Sequence, residues 1–239
     1  MGRPAKGRIL LGMKRIAVLL AGSGVYDGSE IHEAVFSLLS IEKAGASYQC
    51  FAPNKEQLHV IDHTTGEPTG EKRNVLVESA RIARGNVKPL DELEAKDYDA
   101  LLIPGGFGAA KNLNQWALKG PEGELDPQVS AVIQAFQQAG KPLCGLCMGP
   151  TVLAQALGKS PGVELTVGTT KEKSPYDIAG INAGMRQLGA RPVEKTVREV
   201  AVDRDHKVVS APCYMMEASV LEVRKNVQQA VDALMQLLP

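Results

Sequence analysis

Aromatic residues are scarce in this chain: Phe, Tyr and Trp make up 4% of 239 residues, with a single Trp. A core built without them must be packed with Val, Leu, Ile and Ala, the palette of parallel strands buried on both faces. Surplus charge is also missing. Lys plus Arg and Asp plus Glu each total 27, which leaves no electrostatic footprint for nucleic acid. No apolar run approaches the ~20 residues that a helix needs to cross a bilayer, so no membrane partner is expected. Cysteine is limited to Cys50, Cys144, Cys147 and Cys213. That is too sparse for a secreted disulfide scaffold and points to a reducing, cytoplasmic compartment. Cys144 and Cys147 match C-x-x-C, but no second pair or nearby His completes a zinc set, so neither a metal nor another cofactor is expected.

The first residues carry Arg3, Lys6 and Arg8 with no acid, and residues 1–13 are read as a disordered tail. A transit-peptide remnant there would instead make the protein mitochondrial. Residues 14–239 are long enough for one α/β domain.

An apolar run at residues 15–20 predicts a strand, followed by a glycine-punctuated loop and a helix over residues 29–43. Ile31, Ala34, Val35, Leu38 and Leu39 follow helical spacing, and Ser29 is the expected N-cap. A second strand at residues 48–52 completes a βαβ opening. The glycines Gly22, Gly24 and Gly28 invite a dinucleotide-binding reading that fails twice. Their spacing is one residue too long, and residues 52–54 (APN) offer no acid for a ribose.

Farther on, residues 58–67 predict a small hairpin outside the main sheet, with His59 and His63 on its surface, and residues 74–84 a helix. Residues 100–103 predict a strand that runs into Pro104, Gly105 and Gly106. Paired glycines at a strand's carboxyl end make either a plain tight turn or backbone N–H groups facing an oxyanion. Helical segments are expected near residues 112–118 and 128–139. After position 150 the pattern predicts a strand at residues 163–167, a helix at 178–188, and a hairpin over 197–210 turning at an exposed His206. Cys213 is expected near the carboxyl rim of the sheet, and a terminal amphipathic helix over residues 219–238.

Residues 141–150 (KPLCGLCMGP) organise the rest. A short apolar strand meets a helix opening at Thr151, with Cys147 at the bend inside Gly145-x-Cys147-x-Gly149. This is the strand-turn-helix geometry of a nucleophile elbow with Cys in place of Ser. A thiol there lies near a helix N-terminus, which favours the thiolate. The alternative is a buried structural cysteine.

Longer blocks carry a resemblance. Residues 24–33 (GVYDGSEIHE), 51–53 (FAP), 60–66 (VIDHTTG), 73–76 (RNVL), 78–85 (ESARIARG) and 104–113 (PGGFGAAKNL) resemble the ElbB (enhancing lycopene biosynthesis) family of glyoxalase-like proteins. That family lies in the ThiJ/PfpI branch of the class I glutamine amidotransferase-like superfamily. The resemblance implies a flavodoxin-like three-layer α/β sandwich with a mostly parallel sheet, a homodimer, and cofactor-independent conversion of glyoxal and water to glycolate. Protein deglycation and a link to isoprenoid synthesis are also associated with it.

By position, the resemblance makes Cys147 the nucleophile and Glu33 its acidic partner, with Gly106 and Met148 as oxyanion donors. Glu30, Asp27, Tyr26 and Gly105 are the expected pocket lining. The histidine that usually accompanies such a cysteine has no counterpart, because residues 167–170 read VGTT. The expected mechanism is therefore isomerisation through a Cys147 hemithioacetal, with Glu33 moving the proton and Glu30 raising its pKa. A non-enzymatic redox or electrophile sensor is the competing expectation.

Overall fold

The apolar runs become the strands of one twisted sheet. The computed structural model describes residues 12–158 and 162–239, so the tail expected over residues 1–13 lies, as far as Leu11, outside the described residues. The first half comprises β1 (Arg15–Leu19), α1 (Ile31–Lys43), β2 (Ser47–Ala52), α2 (Val75–Ile82), β3 (Val87–Pro89) and β4 (Ala100–Ile103). Then come α3 (Trp116–Lys119), α4 (Pro127–Gln138), β5 (Leu143–Leu146), α5 (Gly149–Leu157), β6 (Glu164–Leu165), α6 (Ile178–Gln187), β7 (Arg191–Pro192), β8 (Ala201–Asp203), β9 (Val208–Ala211) and α7 (Val220–Gln236).

The seven-stranded sheet runs β3-β2-β1-β4-β5-β9-β8, parallel throughout except for the β8–β9 hairpin. β4, β5 and β9 are buried along their whole length, as strands covered on both faces must be. Helices α1 and α7 pack together, as do α4 and α5, and right-handed crossovers put the two pairs on opposite faces. The chain leaves β1 for one edge and returns to β4 on the other side. This reversal opens a crevice at the carboxyl ends of β1 and β4, where open α/β sheets bind ligands.

Phe136, on the inner face of α4, is among the largest fully buried side chains. Phe136→Ala is expected to cost about 3–5 kcal/mol, measured as a drop in ΔG from urea unfolding.

Several local expectations are corrected. The N-cap of α1 is Glu30, whose Oε2 accepts the Glu33 N–H at 2.7 Å, while Ser29 turns its hydroxyl to accept the N–H of Ala21 at 2.8 Å. The predicted apolar face of α1 is split. Ala34, Leu38 and Ile41 are buried, whereas Ile31, Val35 and Leu39 are 46%, 43% and 42% exposed. The helix carries two apolar stripes, and the sheet covers only the one that also holds Glu33. The strand expected at residues 163–167 shrinks to β6, which pairs with β7 in a separate two-stranded sheet. Residues 112–118 are not one helix: a wide turn at Ala109–Leu113 precedes α3. His206 is only partly exposed, its Nδ1 2.8 Å from Asp203 Oδ2, because the hairpin turn folds the ring back on its own strand.

Candidate active site

β5 ends one residue before Cys147, whose backbone bends into the left-handed region at φ 55°. Its N–H donates to Ala211 O at 2.9 Å, so the bend is pinned to neighbouring β9. Such a conformation is uncommon outside glycine and persists only where surrounding structure enforces it. The enforcement is steric. A Cβ at Gly149 would lie 2.7 Å from Ile103 O, so only glycine lets α5 begin this close to β4. At the tip of the next loop a Cβ on Gly105 would lie 2.3 Å from Cys147 Cβ and 2.6 Å from Glu33 Oε2. The glycine after β4 is thus the space in which the thiol and the carboxyl group meet.

Glu33 comes from the first turn of α1 and is fully buried. Its Oε2 accepts the Gly105 N–H at 3.0 Å and its Oε1 accepts the Tyr214 N–H at 3.3 Å. The Cys147 thiol interacts with the same carboxyl group, and the Gly106 N–H with the sulfur. Burial first, and then the charge of Glu30, pushes Glu33 up to about 8. Burial and the Glu33 charge also hold the Cys147 thiol well above its ordinary value, against the smaller pull of the Gly106 N–H. The expectation of a resting thiolate at a helix N-terminus is corrected: desolvation outweighs the dipole. Thiol and carboxyl titrate as one unit, and its nucleophilic form has lost one of two protons.

Of the sequence-predicted residues, the fold brings Cys147, Glu33, Gly105, Gly106, Met148 and Glu30 together. Gly106, Met148 and Glu30 line a cavity of about 10 Å³ at the sulfur, roughly the room of one water. This cavity shares Val25, Glu30, Tyr176 and Tyr214 with an outer chamber of about 520 Å³, also lined by Tyr26, His32 and Glu217. Tyr26 therefore belongs to the chamber and not to the thiol cavity. Asp27 lines neither. Its Oδ2 accepts the Ile61 N–H at 2.8 Å, so its role is to fasten the hairpin loop to the β1–α1 loop. His63 does similar work, accepting the Tyr26 N–H at 3.2 Å with Nδ1 directed at Ile61 O. A separate hollow of about 350 Å³ between Lys55 and Pro127 includes none of the predicted site residues.

Sequence reasoning missed Tyr176 and Tyr214, two rings that line both the chamber and the thiol cavity. Neither lies in an element with a legible pattern. Tyr214 follows β9 in a short turn, and Tyr176 sits in the irregular stretch before α6. Their only available signal was scarcity, since they are two of just five tyrosines.

The DJ-1/PfpI family model matches residues 14–211. The chain belongs to the DJ-1/PfpI family. The human glutamine amidotransferase-like class 1 domain-containing protein 3, mitochondrial, is 44% identical over 227 residues, spanning 93% of this chain and 83% of the relative. An isoprenoid biosynthesis protein with amidotransferase-like domain from Ehrlichia chaffeensis superposes with a TM-score of 0.85 at 32% identity, over 94% of this chain and 99% of that one. Glyoxalase III from Candida albicans shares the fold, with a TM-score of 0.58 at 15% identity over 92% and 97% of the two chains.

Proposed function

We propose that this DJ-1/PfpI protein converts glyoxal and water to glycolate through a covalent intermediate on Cys147, without glutathione or another cofactor. The observation that carries the reading is the buried Cys147–Glu33 pair: one nucleophile and one carboxyl group of near-neutral pKa, at the carboxyl ends of β1, β4 and β5. The sulfur adds to one aldehyde carbon and its proton ends on that carbon's oxygen, which the N–H groups of Gly106 and Met148 face. Glu33 then takes the hydrogen of the same carbon as a proton, and the electron pair moves toward the second carbonyl. Returning that proton to the second carbon leaves a glycolyl thioester. Water cleaves it, releasing glycolate and restoring the thiol. A single carboxyl group acts as base and then as acid, which a pKa near the working pH permits.

The second apolar stripe of α1, Ile31, Val35 and Leu39, favours a homodimer as the working form. The four free thiols suit a reducing compartment, cytoplasmic or, as the name of the human relative states for that protein, mitochondrial. A competing sensor role draws support from the size of the thiol cavity, which is about 10 Å³ and admits a peroxide more readily than a dicarbonyl. Assay of the purified protein with glyoxal, free of glutathione and added metal, separates the two. Glycolate above a heat-killed control is the expected result. Its absence, with Cys147 recovered as a sulfinate after peroxide, favours the sensor.

A further inference from the structure

The geometry points to the Tyr176 hydroxyl as the group that protonates the second carbonyl oxygen of the Cys147-bound substrate. This assignment rests on the glyoxalase reading above and supplies the proton carrier that the reading lacks.

The need is chemical. When Glu33 removes the proton from the hemithioacetal carbon, negative charge develops on the far oxygen. The Gly106 and Met148 N–H groups face the near one. Without a donor at the far oxygen the intermediate is an uncompensated enolate in a buried site, and such charges are costly. Imidazole is the usual carrier, and none is at hand. None of the four histidines lines the thiol cavity. His32 Nδ1 lies 2.8 Å from the Tyr214 hydroxyl, His63 ties the Tyr26 loop to Ile61, and His206 pairs with Asp203.

Two tyrosines line both the thiol cavity and the outer chamber, and only one has its hydroxyl engaged. The Tyr214 hydroxyl is held by His32. The Tyr176 hydroxyl has no partner among the described residues, while every other part of that residue is fastened. Its N–H donates to Ser174 Oγ at 3.0 Å, and its carbonyl accepts the Ile178 N–H at 3.0 Å. Its ring meets Phe107 edge-on with centroids 5.7 Å apart. Ser174 in turn donates to Met215 O at 2.6 Å, tying this loop to the turn whose Tyr214 N–H holds Glu33. A firmly seated ring with a free O–H thus lines both the thiol cavity and the chamber, and in this assignment it meets the second carbonyl of a two-carbon dicarbonyl attached to Cys147.

Burial first, and then the neighbouring Cys147, pushes the Tyr176 hydroxyl up to about 12, so it stays a donor while the Cys147–Glu33 pair ionises. The proton inventory closes. Tyr176 gives its proton to the second oxygen as the enediol forms and receives the proton of the first oxygen as the thioester carbonyl forms. No oxidant, reductant or external acid is consumed.

Tyr176→Phe keeps the ring against Phe107 and removes only the O–H. With glyoxal as substrate, kcat is expected to fall about 10²-fold, the usual scale for a lost general acid, with KM changed by less than about threefold. Because adduct formation precedes the step that needs the proton, intact-mass spectrometry should find the Cys147–glyoxal adduct accumulating in the variant and not in wild type. Wild-type kcat in Tyr176→Phe would overturn the assignment and leave the glyoxalase reading standing. So would a fall in adduct formation parallel to the fall in kcat, since the ring would then only shape the cavity. A wild type that produces no glycolate overturns both.

Discussion

Cys147→Ala lowers kcat/KM for glyoxal by at least about 10³-fold, measured as glycolate released per mole of enzyme. The size of the effect follows from the role. A covalent nucleophile forms the only bond between enzyme and substrate, and its removal leaves binding and the oxyanion donors to act alone. The same variant loses labelling of the native protein by iodoacetamide. Cys50, Cys144 and Cys213 are buried, and burial pushes each of their thiols up, Cys50 to about 12. Cys147 lines a small cavity that shares four of its lining residues with the chamber. The backbone of Cys147 stays at φ 55° for alanine as for cysteine, so the melting temperature should move by no more than a few degrees. Turnover retained in Cys147→Ala would eliminate the covalent mechanism.

Glu33→Gln has the second large effect, and it is visible in stability as well as in rate. The folded protein holds a proton on Glu33 up to about pH 8, whereas an unfolded carboxylate releases it near its ordinary value of 4.5. Between those limits the native state binds the extra proton, so stability is greatest below about 4.5 and is lost as pH rises through about 8. The slope from this one group approaches 1.4 kcal/mol per pH unit. Urea unfolding from pH 5 to pH 8 should therefore show wild type losing roughly 2–4 kcal/mol that Glu33→Gln does not lose. The glutamine starts lower at pH 5. Its single carbonyl oxygen cannot accept from both the Gly105 and Tyr214 N–H groups, and the other is left facing an amide NH₂. Activity runs the opposite way. Wild-type kcat/KM rises as the pair loses its first proton through about pH 8, and Glu33→Gln loses about 10²–10⁴-fold in kcat. Parallel pH–stability slopes in the two proteins would refute the buried-proton account.

In the proposed mechanism the deprotonation that costs stability is thus the one that creates the nucleophile. Active sites are where proteins tolerate such opposition, because a pKa matched to function requires an environment hostile to the charged form.

Much of this architecture was legible in one dimension because its cause is local. Buried parallel strands read as unbroken apolar runs, and β1, β4 and β5 fell within one or two residues of expectation. The elbow was legible for a steric reason: α5 starts so close to β4 that a Cβ on Gly149 would lie 2.7 Å from the Ile103 carbonyl oxygen, and that demand for glycine is written directly into the chain. The terminal helix was legible from its amphipathic pattern, and the structure closes its start with a reciprocal capping box between Ser219 and Glu222.

Where the cause is non-local, residues fall elsewhere than their pattern predicts. Ile31, Val35 and Leu39 carry a helical period as sound as that of Ala34, Leu38 and Ile41. Nothing within α1 says which stripe the sheet will cover, so the face that buries Glu33 is chosen by packing against α7 and the strands. The 163–167 run is apolar enough for a central strand. Yet β9 already occupies the place beside β5, and the run is left to pair with β7. By itself the sequence determined β1, β4, β5 and the elbow with Cys147 at its bend, because propensity, sterics and glycine geometry act between near neighbours. Only the tertiary structure decided the protonation of Cys147 and Glu33 and the presence of Tyr176 and Tyr214 above them. Desolvation is a property of everything packed around a group, and those two rings arrive from segments that meet the elbow only in three dimensions.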